Sequence, residues 1–229
     1  MTFVQIIDYK TSRADELNQL LDRYIAQSQG HRTVTHSVVG KDREAENHYV
    51  DVVEFPSYEE AMKNSDLPET DRMFREMVAL CDGMPTFTNL DVVRDEHLNA
   101  MMVNRMYDEI AVKGDMSVVE EIFAADYLEH DIANPEPRTG HAGVREGVGS
   151  WRDAFDFTFT RMAQTAQDDY VTTLWTWNGT HKGEFMGIAP TGTSCTMTGT
   201  TVFRCQDGMI KEGWWHYDAM GLMRQLGAM

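Results

Sequence analysis

Cysteine, proline, tryptophan and positive charge are all scarce in this chain. Its 229 residues include three cysteines, Cys81, Cys195 and Cys205. They are odd in number and form no CxxC pair, which argues against a disulfide framework or a cysteine zinc site. No apolar run approaches the roughly 20 residues that cross a bilayer. The opening MTFVQIIDYKTSRADE carries no basic leader region and no cleavage-type site, so a cytoplasmic protein is expected. Lys and Arg number 20 against 37 Asp and Glu, a formal net charge of −17. The deficit is even: residues 1–95 carry 10 basic and 18 acidic side chains, and residues 96–229 carry 10 and 19. With no basic stripe, neither nucleic acid nor an anionic membrane surface is an expected partner. No tryptophan occurs before Trp151. No HExxH-type spacing exists. The one set that could converge on a metal is His130, His181 and His216 with Asp218, and the expectation is neither metal nor cofactor.

What is present falls into two halves, 1–95 and 96–229, with different periodicities. TFVQIIDYK reads as a strand, and ADELNQLLDRYIAQ as an amphipathic helix with Leu17, Leu20, Leu21, Tyr24 and Ile25 at helical spacing. RTVTHSVVG and NHYVDVVEF follow as strands joined by the polar turn KDREAE. Ser57 and Glu60 form a capping-box pattern ahead of a helix. DRMFREMVALC is a further helix and GMPTFTNLDVV a fourth strand. The order β-α-β-β-α-β predicts a ferredoxin-like α+β domain. The second half opens with the helices HLNAMMVNRMYDEIAVKG and DMSVVEEIFA, the latter capped by Asp115. YLEHDIANPEPRTGHAG reads as a Pro/Gly-broken loop and VREGVGSWRDAF as a third helix. From residue 156 the period changes to two. FTFTRMAQTAQ, YVTTLWTWNGTH, SCTMTGTTVFRCQ and MIKEGWWHYD read as a meandering sheet, with Gln206-Asp207-Gly208 as a hairpin turn. Helices followed by a long curled sheet predict a cone-shaped α+β domain around a pocket. The sixteen methionines suit pliable apolar packing.

Two resemblances attach to these patterns. HYVDVVEFPSYEEAMKNSDLPETDRMFREMVALCDGMPTFTNLDV resembles the antibiotic-biosynthesis-monooxygenase type of dimeric α+β barrel. That likeness implies pairing of two copies, and a cavity that in such monooxygenases works without a cofactor. The first half lacks their usual Trp, and His36, His48, Tyr49 and Asn64 form no clear constellation. It is therefore read as a dimerisation module or lid. In the second half YLEHD, GTHKGEFMGIAPTG, VFRCQDGMIKEGWW and YDAMGLMRQLG occur in order. They resemble the SnoaL-like polyketide cyclase, or ester cyclase, family of the nuclear-transport-factor-2-like superfamily. The likeness implies that Asp218, in W-x-x-x-D-x-x-G, is an acid/base residue.

Such a residue among aromatics would remove a proton α to a carbonyl and return it after an intramolecular aldol-type ring closure. The bland alternative is that Asp218 caps the helix AMGLMRQLG. His216, two residues earlier, shares its face and is an expected helper. His181 ends the aromatic face of Trp175 and Trp177 and is the second expected helper. Expected substrate contacts are His130, Trp151, Trp175, Trp177, Phe185 and Trp214, a flat wall for an aromatic or polyene molecule. Arg204 with Asp218 evokes the Asp–Arg–Asp arrangement of epoxide hydrolases in the same superfamily. The reading is a cofactor-independent polyketide cyclase of secondary metabolism, acting as a homodimer or larger homo-oligomer. Its rivals are an oxygenase in the first half, an epoxide-opening or isomerising enzyme, and a non-catalytic binder.

Overall fold

Alternating apolar side chains in FVQIIDYK make β1 (Phe3–Lys10), buried at Phe3, Ile7 and Tyr9 and semi-exposed between them. The computed structural model describes residues 2–228, without the side chain of Pro135. It divides into two units, residues 1–95 and 96–229. Among the described residues no helix is long and apolar enough to cross a membrane.

In the first unit β1 is followed by α1 (Ala14–Gln27), β2 (His36–Lys41), β3 (His48–Phe55), α2 (Tyr58–Ser65), α3 (Pro68–Leu80) and β4 (Thr86–Asp91). The sheet order is β2-β3-β1-β4 and each pair is antiparallel. Ser57 caps α2 by accepting the Glu60 N–H at 3.3 Å, as its sequence pattern predicts. One sheet face buries Phe3, Ile7, Val53 and Phe55 against Leu17, Leu20 and Met77. The register puts Val4, Ile6, Val38, Val52 and Leu90 together on the other face. Val38 there is 50% exposed and Leu90 42%.

The second unit begins with α4 (Leu98–Arg105), which continues as a π-helical stretch, Met106–Val112. Gly114, at φ 75°, ends it. Asp115 accepts the Ser117 N–H at 3.0 Å and caps a short 3-10 turn before α5 (Val119–Ile122). Next come β5 (Phe123–Asp131) and β6 (Asn134–Thr139), where the sequence suggests the end of a helix and then a loop. β6 is a border strand, so its prolines break no interior ladder. α6 (Gly140–Ala154), β7 (Phe155–Gln167), β8 (Tyr170–His181), β9 (Ser194–Gln206), β10 (Met209–Tyr217) and α7 (Ala219–Gln225) complete the unit. The sheet order is β6-β5-β10-β9-β8-β7, parallel between β5 and β10 and antiparallel elsewhere. Asp207 and Gly208 both have positive φ, 54° and 75°, as a tight hairpin turn requires.

β10 contains a bulge. Ile210 pairs with Cys205 and Glu212 pairs with Arg204, so Lys211 is one residue too many. Alternation counted from the buried Ile210 would turn Trp214, His216 and Asp218 inward. The extra residue reverses that order. Gly213, Trp215 and Tyr217 face the core, while His216 is exposed. Gly213 is required there. A Cβ would stand 2.5 Å from the Tyr127 hydroxyl and 2.7 Å from the Phe203 ring, and both side chains are buried. Gly213→Ala should therefore lower stability by about 1–3 kcal/mol, the range for overpacking. A drop in the urea midpoint with an unchanged denaturant slope would show it, and a wild-type midpoint would mean that the two rings yield freely.

Candidate active site

The inner face of the second sheet is aromatic. β8 contributes Trp175 and Trp177, each 1% exposed. β7 adds Phe157 and Phe159, α6 adds Trp151, and β10 adds Trp215 and Tyr217. The Trp151 ring meets Trp177 at 5.8 Å and 71°, and Tyr217 at 5.9 Å and 81°. Such edge-to-face contacts favour a rigid wall. The cavity is open on one side, and the space in it that the centre of a water molecule can enter is about 70 Å³. Counted with its mouth and the solvent it opens into, the empty space is about 560 Å³. A single water needs about 10–15 Å³ on the first measure. The cavity thus admits several waters or one small ring, with further room toward the mouth.

At one side this apolar wall gives way to a charged cluster. Alternation along β5 turns Tyr127, Glu129 and Asp131 to one face, and β6 sets Arg138 opposite Glu129. Arg138 donates to Glu129 Oε1 at 3.0 Å and lies 3.6 Å from Asp131 Oδ2. The Tyr217 hydroxyl donates to Asp131 Oδ1 at 2.8 Å, and the Tyr127 hydroxyl to Glu129 Oε2 at 3.3 Å. The carboxylates are only 13% and 11% exposed. Gly143 of α6 makes room for the Arg138 backbone, which a Cβ would approach to 3.1 Å, whereas a Cβ on Gly147 would only touch Arg138 and Glu129 at 3.4 Å, an ordinary contact.

Burial dominates the protonation behaviour of Glu129 and Tyr217. It pushes the Glu129 carboxyl above its ordinary value of 4.5, against the opposing pull of Arg138. Burial, with the adjacent Asp131 charge, also raises the Tyr217 phenol far above its ordinary range. Tyr217 is therefore a permanent donor, and Glu129 can hold a proton at a pH where a solvated glutamate cannot. Because folding raises the Glu129 value, the group's stabilising contribution is complete at acid pH. It is lost as pH rises through the folded value.

The residues expected from sequence divide between the inside and the outside of this wall. Trp151, Trp175 and Trp177 line the cavity. Phe185 does not; it stands behind Trp151 and Phe155, 5.0 Å from each ring. His181 is fully buried at the end of β8 beside Phe155, and also lies outside the lining. Its Nδ1 accepts the Thr191 N–H at 3.2 Å, and its Nε2 has no hydrogen-bond partner among the described residues. Trp214 and His130 stack at 5.4 Å and 11° away from the cavity lining. His130 Nε2 is 3.0 Å from Glu212, which Arg204 also engages at 3.0 Å. Arg204 thus pairs with Glu212 and not with Asp218. His216 and Asp218 are both exposed, contrary to the inward face expected for them. Asp218 accepts the Gly221 N–H at 2.8 Å as the N-cap of α7. Among the described residues no group of three or more His, Cys, Asp and Glu could hold a metal ion. Sequence reasoning missed Glu129, Arg138 and Tyr217. The alternation of YLEHD points to the first of these, but the prolines and glycines that follow make the segment read as a loop.

A model of the SnoaL-like polyketide cyclase family matches residues 101–226, more than half of the chain. The chain belongs to that family. The match spans the cavity walls, both carboxylates of the charged cluster and the α7 cap. Solved structures with the same fold include a proposed SnoaL-like polyketide cyclase from Jannaschia sp. CCS1. It is 22% identical with a TM-score of 0.55, over 61% of this chain and 99% of that one. TsrD from Streptomyces laurentii is 23% identical with a TM-score of 0.53, over 59% and 99%. A proposed polyketide cyclase from Acidithiobacillus ferrooxidans is 27% identical with a TM-score of 0.53, over 60% and 98%. No curated protein matches the sequence.

The two outcomes for Asp218 differ in stability. Asp218→Ala removes an N-cap and should cost about 1 kcal/mol, whereas Asp218→Asn should be nearly neutral. Thermal unfolding of the two variants checks this, and equal melting temperatures would deny the cap any energetic role.

Proposed function

We propose that the C-terminal unit is a cofactor-independent acid/base cyclase that closes a ring in a polyketide-like substrate by an intramolecular aldol-type step. The observation that carries this reading is the pair of partly buried carboxylates, Glu129 and Asp131, bridged by one guanidinium at the rim of an aromatic cavity. Glu129 takes the proton α to a carbonyl, and the C–H electron pair becomes an enolate. Arg138 offsets the enolate's negative charge. The enolate carbon attacks a second carbonyl of the same molecule, and its π electrons move to oxygen. That alkoxide recovers the proton from Glu129, so the step balances without a redox partner. Asp131 fixes the Tyr217 hydroxyl and Arg138, and the indole wall holds the reacting carbons close. The family membership supports the reaction class. On this reading Asp218 serves α7 and not the proton transfer, and His216 and His181 are structural.

The test is exchange and ring closure of a 1,5-diketone in D2O, followed by NMR. Glu129→Gln should lose at least about 100-fold in rate, while Asp218→Asn should stay within a few-fold of wild type. kcat/KM should rise with pH along a limb displaced above 4.5, the ordinary value from which burial raises Glu129, and the variant should lack that limb. The reverse ranking of the two variants would return the chemistry to Asp218. A second reading, epoxide opening, is favoured by the carboxylate–Arg–carboxylate order of Glu129, Arg138 and Asp131. Incorporation of 18O from labelled water into product would select it.

We also propose that the N-terminal unit is a ferredoxin-like module of the antibiotic-biosynthesis-monooxygenase type that pairs two copies. The support is its strand order β2-β3-β1-β4 and the exposed apolar face bearing Val38 and Leu90. Sedimentation of the full chain should give a dimer, and the Val38→Asp/Leu90→Asp double variant a folded monomer. A monomeric wild type would dismiss the pairing.

A further inference from the structure

Asp51 lies in β3, an interior strand of the first sheet, where aspartate is disfavoured. The residue is 7% exposed. Ser37 on β2 donates to its Oδ1 at 2.8 Å. Among the described residues Oδ2 accepts no hydrogen bond, and no Lys, Arg or His pairs with the group. Burial raises the carboxyl above its ordinary value. Oδ2 is not among the side-chain atoms sealed from solvent without a partner, so the carboxylate has one neutral donor and one oxygen open to the space beside it.

The surroundings give that oxygen a use. Asp51 lines a groove of about 850 Å³ between the sheet and the helices α1 and α3. Ile7, Val39, Leu21, Ile25, Phe74 and Phe87 give the groove apolar walls. Its other acidic lining residues are Asp22 and Asp71, against Arg32 and His36. Arg32 is turned to the Ile25 carbonyl at 2.6 Å, and the His36 ring lies 3.6 Å from Glu54. Asp71 is engaged by Arg75, outside the lining. The groove therefore combines apolar walls, an excess of acidic groups and one carboxylate oxygen lacking a partner.

We propose that this groove is a second small-molecule site, one that takes an organic cation with a flat apolar body and seats its ammonium group on Asp51. The ligand's N–H groups fill the unused lone pairs of Oδ2 and its charge offsets the buried carboxylate. The apolar walls take the ring. Binding is independent of the proton chemistry assigned to the C-terminal cavity.

The probe is 2-phenylethylamine, titrated into the full chain by calorimetry beside its neutral and anionic counterparts, 2-phenylethanol and 3-phenylpropanoate. The amine should bind most tightly, and its binding should shift the methyl resonances of Ile7 and Val39. Asp51→Asn, shown to be folded by circular dichroism, should weaken the amine about tenfold or more, as expected for a lost charge-assisted hydrogen bond. The alcohol should be little affected. The comparison of the three probes on the unaltered protein stands even if the variant misfolds. Equal affinity for amine and alcohol, preference for the carboxylate, no binding at all, or shifts confined to the C-terminal unit would each overturn the proposal.

Discussion

Lys211 has no backbone partner across β9, and the inner surface of the C-terminal unit depends on that mismatch. Side chains alternate along a strand, so a single extra residue exchanges the two faces for every position beyond it. Here the exchange carries Trp215 and Tyr217 inward and leaves Trp214 with His130 outside the cavity lining. Tyr217 then reaches Asp131 on the neighbouring parallel strand. Gly213 makes the new face possible, because Tyr127 and Phe203 occupy the volume that a methyl group would need. The cavity lining and its hydrogen bonding thus follow from one local irregularity and the glycine next to it.

Within that lining, two carboxylates share one guanidinium. A buried carboxylate is costly unless paired, and Arg138 pairs fully with one of the two. Burial outweighs the pull of Arg138, so the Glu129 carboxyl is displaced upward and becomes a better proton acceptor. The same electrostatic logic appears in the first unit in a simpler form. Asp51 has no guanidinium at all, only a serine hydroxyl, and its carboxyl is displaced in the same direction. In both units the unbalanced carboxylate comes from a strand inside its sheet and faces empty space.

Much of the fold was legible because its signals are local. The periodicity of ADELNQLLDRYIAQ gives α1 at the residues expected, and the Ser57 cap and the Asp207-Gly208 turn are side-chain and backbone rules acting over a few residues. The inward face of Trp175 and Trp177 follows from simple alternation along a regular strand. What escaped were features set by distant partners. β5 and β6 hold two prolines and a polar run that read as a loop, and only pairing with β10 makes β5 an interior strand. The β10 bulge leaves no mark in composition, so the orientation of His216 and Asp218 could not be counted from sequence. For Asp218 the two uses of the residue type, helix cap and proton carrier, are indistinguishable until the side chain is located.

The prolines of β6 have an effect beyond being tolerated at a border. Two of the six residues in NPEPRT have no amide hydrogen to offer. A seventh strand laid along that side would find a ladder with missing rungs, so this margin of the sheet resists extension by an incoming chain. Arg138 is thereby held on a segment protected from being drawn into intermolecular sheet.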